Sequence, residues 1–239
     1  MAITTGYERV AAGADGAFDA YCAVPESGQG PGVLVFQEIF GINDNMRDLA
    51  DRLAGAGYVA IVPEMFWRLE PRFERKDESG MGDAFAMIQR YDFSWAGPDI
   101  AATHAHLVGL DACTGKVGAV GFCFGGTLAF VAAALSKVDG KGIDAAVSYY
   151  GSGTNDQLGL LPSIECPLLF HYGEDDPFIP EEKLVEVEQA ADGLAHVQVL
   201  RYAGAGHAFS NSDAPSMYHA DSAALAWGRT LDFFAEHLQ

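Results

Sequence analysis

Six short strand-like runs alternate with helix-length segments along this sequence, and few folds accommodate that pattern. The runs are rich in β-branched and aromatic residues and hold few charges, which is typical of strands covered on both faces. Strands that alternate with helices favour βαβ units. We therefore predict an α/β fold with a mostly parallel central sheet flanked by helices on both faces. The runs are GVLVF (32–36), YVAIVP (58–63), KVGAVGF (116–122), IDAAVSYYG (143–151), PLLFHYG (167–173) and HVQVLRYA (196–203).

The remaining elements are a hairpin and six helices. YERVAA and AFDAYCAV flank the turn residues GADG near the start of the chain and predict the hairpin. Asn43 can cap the first helix. No polar linker divides the pattern, so we expect a single domain over residues 1–239. The helices are predicted at 43–57, near 80–91, near 98–110, directly after Cys123, near 180–192 and near 216–237.

A strongly acidic balance argues against two classes of partner. The formal net charge is −19, whereas nucleic acids and anionic lipid surfaces both require a basic protein face. We therefore expect a small-molecule substrate, with neither nucleic acid nor a membrane as a partner. The sequence is compatible with a monomer or a small homo-oligomer.

The cysteines and the N-terminal segment favour a cytoplasmic location. The four cysteines have neither CxxC spacing nor the density of a disulfide framework, which fits a reducing compartment. The first ten residues lack the basic start and apolar run of a signal peptide. Glycines interrupt the longest apolar tract, 119–135, which is short for a membrane span. No metal-ligand spacing is visible, so we expect neither a metal ion nor an organic cofactor.

The segment GFCFGG, residues 121–126, has the pattern of a nucleophile elbow, a sharp turn from a strand to a helix. Side chains two positions before and after the nucleophile would collide there, and Gly121 and Gly125 remove that conflict. Gly126 leaves room for close helix packing. The start of the helix can hold an oxyanion and lower the pKa of a thiol. Cys123 is thus a candidate nucleophile; the alternative is a buried thiol at a glycine-rich turn.

An acid and a histidine follow Cys123 in the chain order that such hydrolases require. In FHYGEDDPFIP (170–180), Asp175 and Asp176 both come just after a predicted strand, and periodicity does not choose between them. Both could instead be turn or cap residues. In YAGAGHAF (202–209), His207 lies among small residues after the last strand. Such a loop would allow the imidazole to reach the elbow.

Glu38, in LVFQEIFG (34–41), comes just after a predicted buried strand and is therefore also expected at the carboxyl edge of the sheet. The loop after this strand supplies an oxyanion-hole N–H in α/β-hydrolases. A carboxylate there opposes the charge that develops on the oxyanion, which suggests another task. Glu38 could take the proton of Cys123, or it could simply hydrogen-bond to the loop backbone.

Four segments together resemble a known family: QEIFG (37–41), KVGAVGFCFGG (116–126), FHYGEDDPFIP (170–180) and AGHAF (205–209). From about residue 16 to its end, the sequence resembles the dienelactone hydrolases (carboxymethylenebutenolidases), which have the α/β-hydrolase fold. The resemblance implies a catalytic triad of Cys123, Asp176 and His207. It also implies that Glu38 activates the cysteine, and that the N–H groups of Ile39 and Phe124 bind the oxyanion.

The implied reaction is hydrolysis of a small ester or lactone through a thioester on Cys123. His207 would protonate the leaving group and later activate water. General carboxylesterase or thioesterase activity is an alternative within the hydrolases. Outside them, Cys123 could serve a thiol-based redox sensor, or the fold could belong to a ligand-binding protein without turnover.

The sequence departs from the family pattern where a substrate carboxylate should bind. The family has two arginines at the positions of Met81 and Asn211, and a tyrosine is usual at the position of Phe85. We place these three residues and Phe40 among the substrate-binding candidates. A basic cluster in segment 65–76 leads to the hypothesis that one of its arginines replaces the missing pair; pairing with acids of the protein itself is the simpler alternative. The cluster comprises Arg68, Arg72, Arg75 and Lys76.

Aromatic residues around the elbow indicate a compact apolar pocket, although some of them must belong to the core. We expect at most half of them to line the pocket. The candidates are Phe40, Phe66, Trp67, Phe85, Phe124, Tyr150 and Phe178.

Overall fold

Eight strands form one mixed sheet in the computed structural model, which describes residues 2–76 and 78–239. In chain order the strands are β1 (Thr4–Ala11), β2 (Ala17–Val24), β3 (Gly30–Phe36), β4 (Val59–Pro63), β5 (Cys113–Phe122), β6 (Ala145–Tyr149), β7 (Leu168–Gly173) and β8 (Val197–Tyr202). Their order across the sheet is β1-β2-β4-β3-β5-β6-β7-β8. The β1/β2 and β2/β4 pairs are antiparallel and the other pairs are parallel. The predicted opening hairpin and parallel sheet are therefore confirmed.

The described residues form six α-helices, of which the last follows β8: α1 (Asp44–Gly55), α2 (Met81–Arg90), α3 (Ala96–Val108), α4 (Phe124–Leu135), α5 (Glu181–Ala191) and α6 (Ala220–Leu238). Asn43 caps α1, because its side-chain oxygen accepts a hydrogen bond from the Met46 N–H at 3.1 Å. The sequence did not predict the 3₁₀ helix Asn155–Ser163, which contains Pro162.

The last helix begins later than the prediction of residue 216. A turn precedes it, in which the N–H groups of Met217 and Tyr218 both donate to the Ala214 carbonyl. His219 then has an extended backbone, and its ring accepts a hydrogen bond from the Ser222 N–H at 3.4 Å. The imidazole therefore acts as the N-terminal cap, a role that apolar periodicity does not reveal.

Helices cover both faces of the sheet, and two glycines show how closely they pack. A Cβ on Gly32 would lie 2.8 Å from Leu107 of α3, and a Cβ on Gly118 would lie 2.7 Å from Leu238 of α6. Gly32 pairs with Val117, the neighbour of Gly118, so the two glycines face opposite sides of the pleated sheet. The helices α3 and α6 therefore pack on opposite faces.

The parallel strands end at one edge of the sheet, and every candidate catalytic residue follows such an end. Glu38 follows β3, Cys123 follows β5, Asp176 follows β7 and His207 follows β8. Ligands bind beyond this edge in open α/β sheets. Within residues 2–76 and 78–239, the helices are all too short or too polar to cross a membrane.

Candidate active site

Cys123 occupies a strained turn between β5 and α4. Its backbone has φ 56° and ψ −118°, a conformation that costs a residue with a side chain of the order of 1–3 kcal/mol and is typical of functional sites. The turn is tight enough that a Cβ on Gly121 would collide with the Gly125 carbonyl, and one on Gly125 would collide with the Phe36 carbonyl. The two glycines of the predicted elbow are therefore sterically required. The Cys123 thiol is half-buried and lines a cavity.

His207 and Asp176 form a buried hydrogen-bonded pair. The His207 Nδ1 lies 2.7 Å from Asp176 Oδ2, and the two side chains are 8% and 0% exposed. The other carboxylate oxygen of Asp176 accepts hydrogen bonds from the N–H groups of Phe178 (2.8 Å) and Ile179 (3.2 Å). Asp175, the alternative acid, is exposed to solvent. The structure thus brings Asp176, rather than Asp175, to the histidine.

The charge state of His207 depends on its acidic neighbours. Burial alone would lower the pKa of His207, but negative charge at Cys123 and the hydrogen bond to Asp176 raise that pKa to about 10. A charged imidazolium at His207 is therefore favoured whenever negative charge is present on the neighbouring Cys123 sulfur. Because Nδ1 binds Asp176, Nε2 is the ring nitrogen that can exchange a proton with the Cys123 thiol or with substrate.

The Glu38 carboxylate is 2% exposed and is held by two side chains. Asn211 Nδ2 donates to Oε2 at 2.6 Å, and the Tyr150 hydroxyl donates to Oε1 at 3.3 Å. Burial raises the pKa of Glu38, although the charge of His207 and the two hydrogen bonds act in the opposite direction. The higher pKa makes Glu38 a better proton acceptor than an exposed glutamate.

Asn211 does not line the cavity, which corrects its sequence-based placement among the substrate-binding candidates. It is 3% exposed, and its amide is turned to Glu38. A neutral amide in this position satisfies the carboxylate without cancelling its charge. Sequence spacing cannot reveal this contact, because the two residues are 173 positions apart.

The sequence predicts Tyr150 only as an aromatic of the pocket and does not identify Ser210, whereas the structure places both in the hydrogen-bond network of Glu38. The Tyr150 hydroxyl lies 2.7 Å from Ser210 Oγ, and the Tyr150 ring centroid is 5.2 Å from that of His207. Burial, followed by the charge of Glu38, raises the pKa of Tyr150 well above its usual value, so the phenol remains a hydrogen-bond donor. Tyr150 and Ala208 also have positive φ values, 38° and 54°. The position of Tyr150 just after β6 was the available signal.

Two residues with available backbone N–H groups line the cavity beside the Cys123 thiol. Phe124 is the first residue of α4, and Ile39 lies in the turn after Glu38. Within the part of the chain that the structure describes, neither N–H donates to a protein acceptor. Both residues line the same cavity as Cys123. Their amides are available to a carbonyl oxygen of a bound substrate, and the partial positive charge of the α4 N-terminus supports that role.

The cavity has a volume of about 460 Å³ and an apolar wall. Four of the seven aromatic candidates line it, which exceeds the predicted maximum of half: Phe40, Phe85, Phe124 and Phe178. Helix α2 contributes one face of the wall through Met81, Phe85 and Ile88. Among the residues that the structure describes, three acidic or basic side chains line the cavity: Glu38, Asp156 and His207.

The arginines of segment 65–76 bind acids of the protein outside the cavity, which corrects the hypothesis that one of them receives substrate. Arg68 forms ion pairs with Asp99 and Asp15, and its guanidinium lies 4.2 Å from the Trp67 ring centroid. Arg72 pairs with Asp19 at 2.7 Å, and Arg75 pairs with Asp83 at 2.8 Å. Among the described residues, no lysine or arginine, Lys76 included, lines the cavity. Nor do the described residues contain a group of three or more metal-ligating side chains.

Comparison with known proteins agrees with this architecture. Residues 18–238 match the dienelactone hydrolase family. The chain is 38% identical over 234 residues to a provisionally named carboxymethylenebutenolidase of Azospirillum brasilense, covering 96% of this chain and 97% of that protein. It is 36% identical to the carboxymethylenebutenolidase of Pseudomonas putida, with 91% of each chain covered. A solved structure, a provisionally named dienelactone hydrolase of Klebsiella pneumoniae, superposes with a TM-score of 0.84 at 28% identity and covers 99% of this chain and all of its own.

Proposed function

The chain belongs to the dienelactone hydrolase family and is a hydrolase, and from this premise we propose that it hydrolyses small esters or lactones through a thioester on Cys123. The observation that carries the proposal is the geometry of the elbow. A strained cysteine, two available N–H groups and a histidine bonded to a buried aspartate meet at one sheet edge. These are the components that covalent acyl transfer needs.

In the proposed reaction, the Cys123 thiolate attacks the carbonyl carbon and forms an S–C bond. Negative charge moves to the carbonyl oxygen, where the N–H groups of Ile39 and Phe124 stabilise it. When the tetrahedral adduct collapses, the C–O bond to the leaving group breaks and Nε2 of His207 donates a proton to that group. Water then loses a proton to His207 and attacks the thioester, and Cys123 leaves as the thiolate.

Glu38 serves as the first acceptor of the Cys123 proton in this scheme. Its raised pKa supports proton uptake, and it lines the same cavity as Cys123. Proton uptake weakens the hydrogen bond from Asn211, because a neutral carboxyl is a poorer acceptor than a carboxylate. Asp176 keeps His207 in the tautomer and orientation that protonation of the leaving group requires.

The covalent intermediate is directly testable. We expect rapid acid quenching during turnover of 4-nitrophenyl butyrate to leave a butyryl group on the peptide that contains Cys123. Neutral hydroxylamine should remove it, as it removes thioesters. The measurement is peptide mass spectrometry, with Cys123→Ala as the control. An acyl group on any other residue would contradict the proposal.

The cavity favours uncharged acyl groups. A substrate carboxylate would meet no lysine or arginine on the described wall, and Glu38 and Asp156 would repel it. Leaving a charge unpaired in an apolar site costs several kcal/mol. The name of the relatives points to carboxymethylenebutenolides as their substrates; for this chain we propose neutral esters and lactones as the better substrates.

A matched pair of esters tests this preference. We expect kcat/KM for 4-nitrophenyl butyrate to exceed that for the mono-4-nitrophenyl ester of succinic acid by at least about tenfold, equivalent to about 1.4 kcal/mol. Met81→Arg should raise kcat/KM for the succinate ester alone, whereas Met81→Leu should change neither value by more than about twofold. Equal rates with both esters in the wild type would contradict the proposed charge preference.

A further inference from the structure

Gln37 lies between the end of β3 and Glu38 and is fully buried, with 0% exposure. Both ends of its side-chain amide are engaged. The Nε2 group donates to the Glu38 carbonyl oxygen at 3.2 Å, and Oε1 accepts from the Met65 N–H at 3.1 Å. The side chain therefore connects the loop after β3 to the loop after β4. None of the steps above uses Gln37.

The Glu38 carbonyl belongs to the same peptide unit as the Ile39 N–H. A peptide unit is planar, and in the trans form its C=O and N–H point in opposite directions; the described chain contains no cis peptide. A hydrogen bond that fixes the direction of the Glu38 carbonyl therefore also fixes the direction of the Ile39 N–H. That N–H is one of the two donors available to the oxyanion.

The backbone on both sides of this peptide is also held in place. A Cβ on Gly125 would lie 2.6 Å from the Gln37 carbonyl oxygen, so the backbone at Gln37 packs directly on the elbow. Further along, the Phe40 carbonyl accepts a hydrogen bond from the Arg75 N–H at 2.8 Å. The peptide between Glu38 and Ile39 lies between these two fixed points, and the Gln37 amide is the group that sets its rotation.

We propose that Gln37 is a positioning residue that aims the Ile39 N–H at the oxyanion. The inference rests on the proposed function, because the oxyanion forms only in acyl transfer. Its contribution appears in the transition state more than in the bound substrate, since the charge on the oxygen develops there. A loss of Gln37 should therefore lower kcat and leave KM nearly unchanged.

Two reactions of Cys123 separate this role from a purely structural one. Hydrolysis of 4-nitrophenyl butyrate requires an oxyanion, whereas alkylation by iodoacetamide displaces iodide from a saturated carbon and requires none. In Gln37→Met, we expect kcat to fall at least about tenfold, because a full oxyanion donor is worth about 100- to 1,000-fold. KM and the alkylation rate of Cys123, followed by peptide mass spectrometry, should stay within about twofold of the wild type.

A second variant covers the case in which Gln37→Met does not fold. Gln37→Glu keeps an acceptor for the Met65 N–H, and its protonated carboxyl can still donate to the Glu38 carbonyl. Relative to the wild type at each pH, its kcat should recover as the pH is lowered through the pKa of the new carboxyl, while its alkylation rate relative to the wild type stays constant.

Each contrary result has a distinct meaning. Equal losses of hydrolysis and alkylation in the Gln37 variants would overturn the inference, as would unchanged hydrolysis in a folded Gln37→Met. The inference would also be overturned if the ratio of the Gln37→Glu kcat to the wild-type kcat were the same at every pH. Hydrolysis that persists in Cys123→Ala would instead refute the proposed function.

Discussion

Replacing Cys123 by alanine is expected to lower kcat/KM for 4-nitrophenyl butyrate at least about 10,000-fold. The Cys123 sulfur forms the covalent bond in the proposed reaction. The elbow, residues 121–126, contains no other nucleophilic side chain. The residual rate should come from the Ile39 and Phe124 amides and from binding, which survive the substitution. Fold integrity should be retained, because alanine keeps the Cβ that the strained turn already accommodates.

Cys166→Ala is the matched control for this experiment. Cys166 is also a half-buried thiol, but it does not line the catalytic cavity. We expect its replacement to change kcat/KM by no more than about twofold. Retained hydrolysis in Cys123→Ala would refute the cysteine mechanism. A wild type that turns over neither ester would mean that its specificity lies with other acyl or leaving groups, and lactones would be tested next.

The second large effect is expected for Asp176→Asn, which should lower kcat about 1,000- to 10,000-fold. The amide can still accept the Phe178 N–H that Asp176 Oδ1 accepts, so the loop should stay in place. What is lost is the acceptor for the His207 Nδ1–H. Because the Asp176 carboxylate helps to raise the pKa of His207, that pKa should fall in the variant. NMR titration of the His207 ring would measure the fall.

Asp175→Asn provides an adjacent control that removes the same charge. Asp175 is exposed, and its backbone N–H donates to the Ala205 carbonyl at 3.0 Å, a bond that the substitution keeps. We expect its kcat to remain within about twofold of the wild type. A larger loss in Asp175→Asn than in Asp176→Asn would show that Asp175, and not Asp176, is the acid of the triad.

The fold was largely predictable because its signals are local. Strand composition, helix periodicity and the glycines around Cys123 depend on residues only a few positions apart. The α6 start was missed because His219 caps the helix through its ring, whereas histidine is not among the preferred cap residues.

The site was predictable as a set of chain positions but not as a set of contacts. The rule that ligands bind beyond the carboxyl ends of the strands pointed to Glu38, Cys123 and His207. The residues alone left Asp175 and Asp176 equivalent, since the choice depends on how one turn rotates two adjacent side chains. The partners of Arg68 and Arg72 lie on distant segments, at Asp99, Asp15 and Asp19, so local sequence could not show that both arginines are already paired.

Helix α2 supplies cavity wall and nothing else to the proposed chemistry. Met81, Phe85 and Ile88 face the substrate space, while the groups that move protons all lie on loops at the sheet edge. Mutations in α2 can therefore alter which acyl group is accepted without disturbing bond making. In evolutionary terms, this division lets a lineage acquire new substrates gradually, with each intermediate sequence still a working enzyme. It also marks Met81–Arg90 as the segment to randomise in a library aimed at new esters.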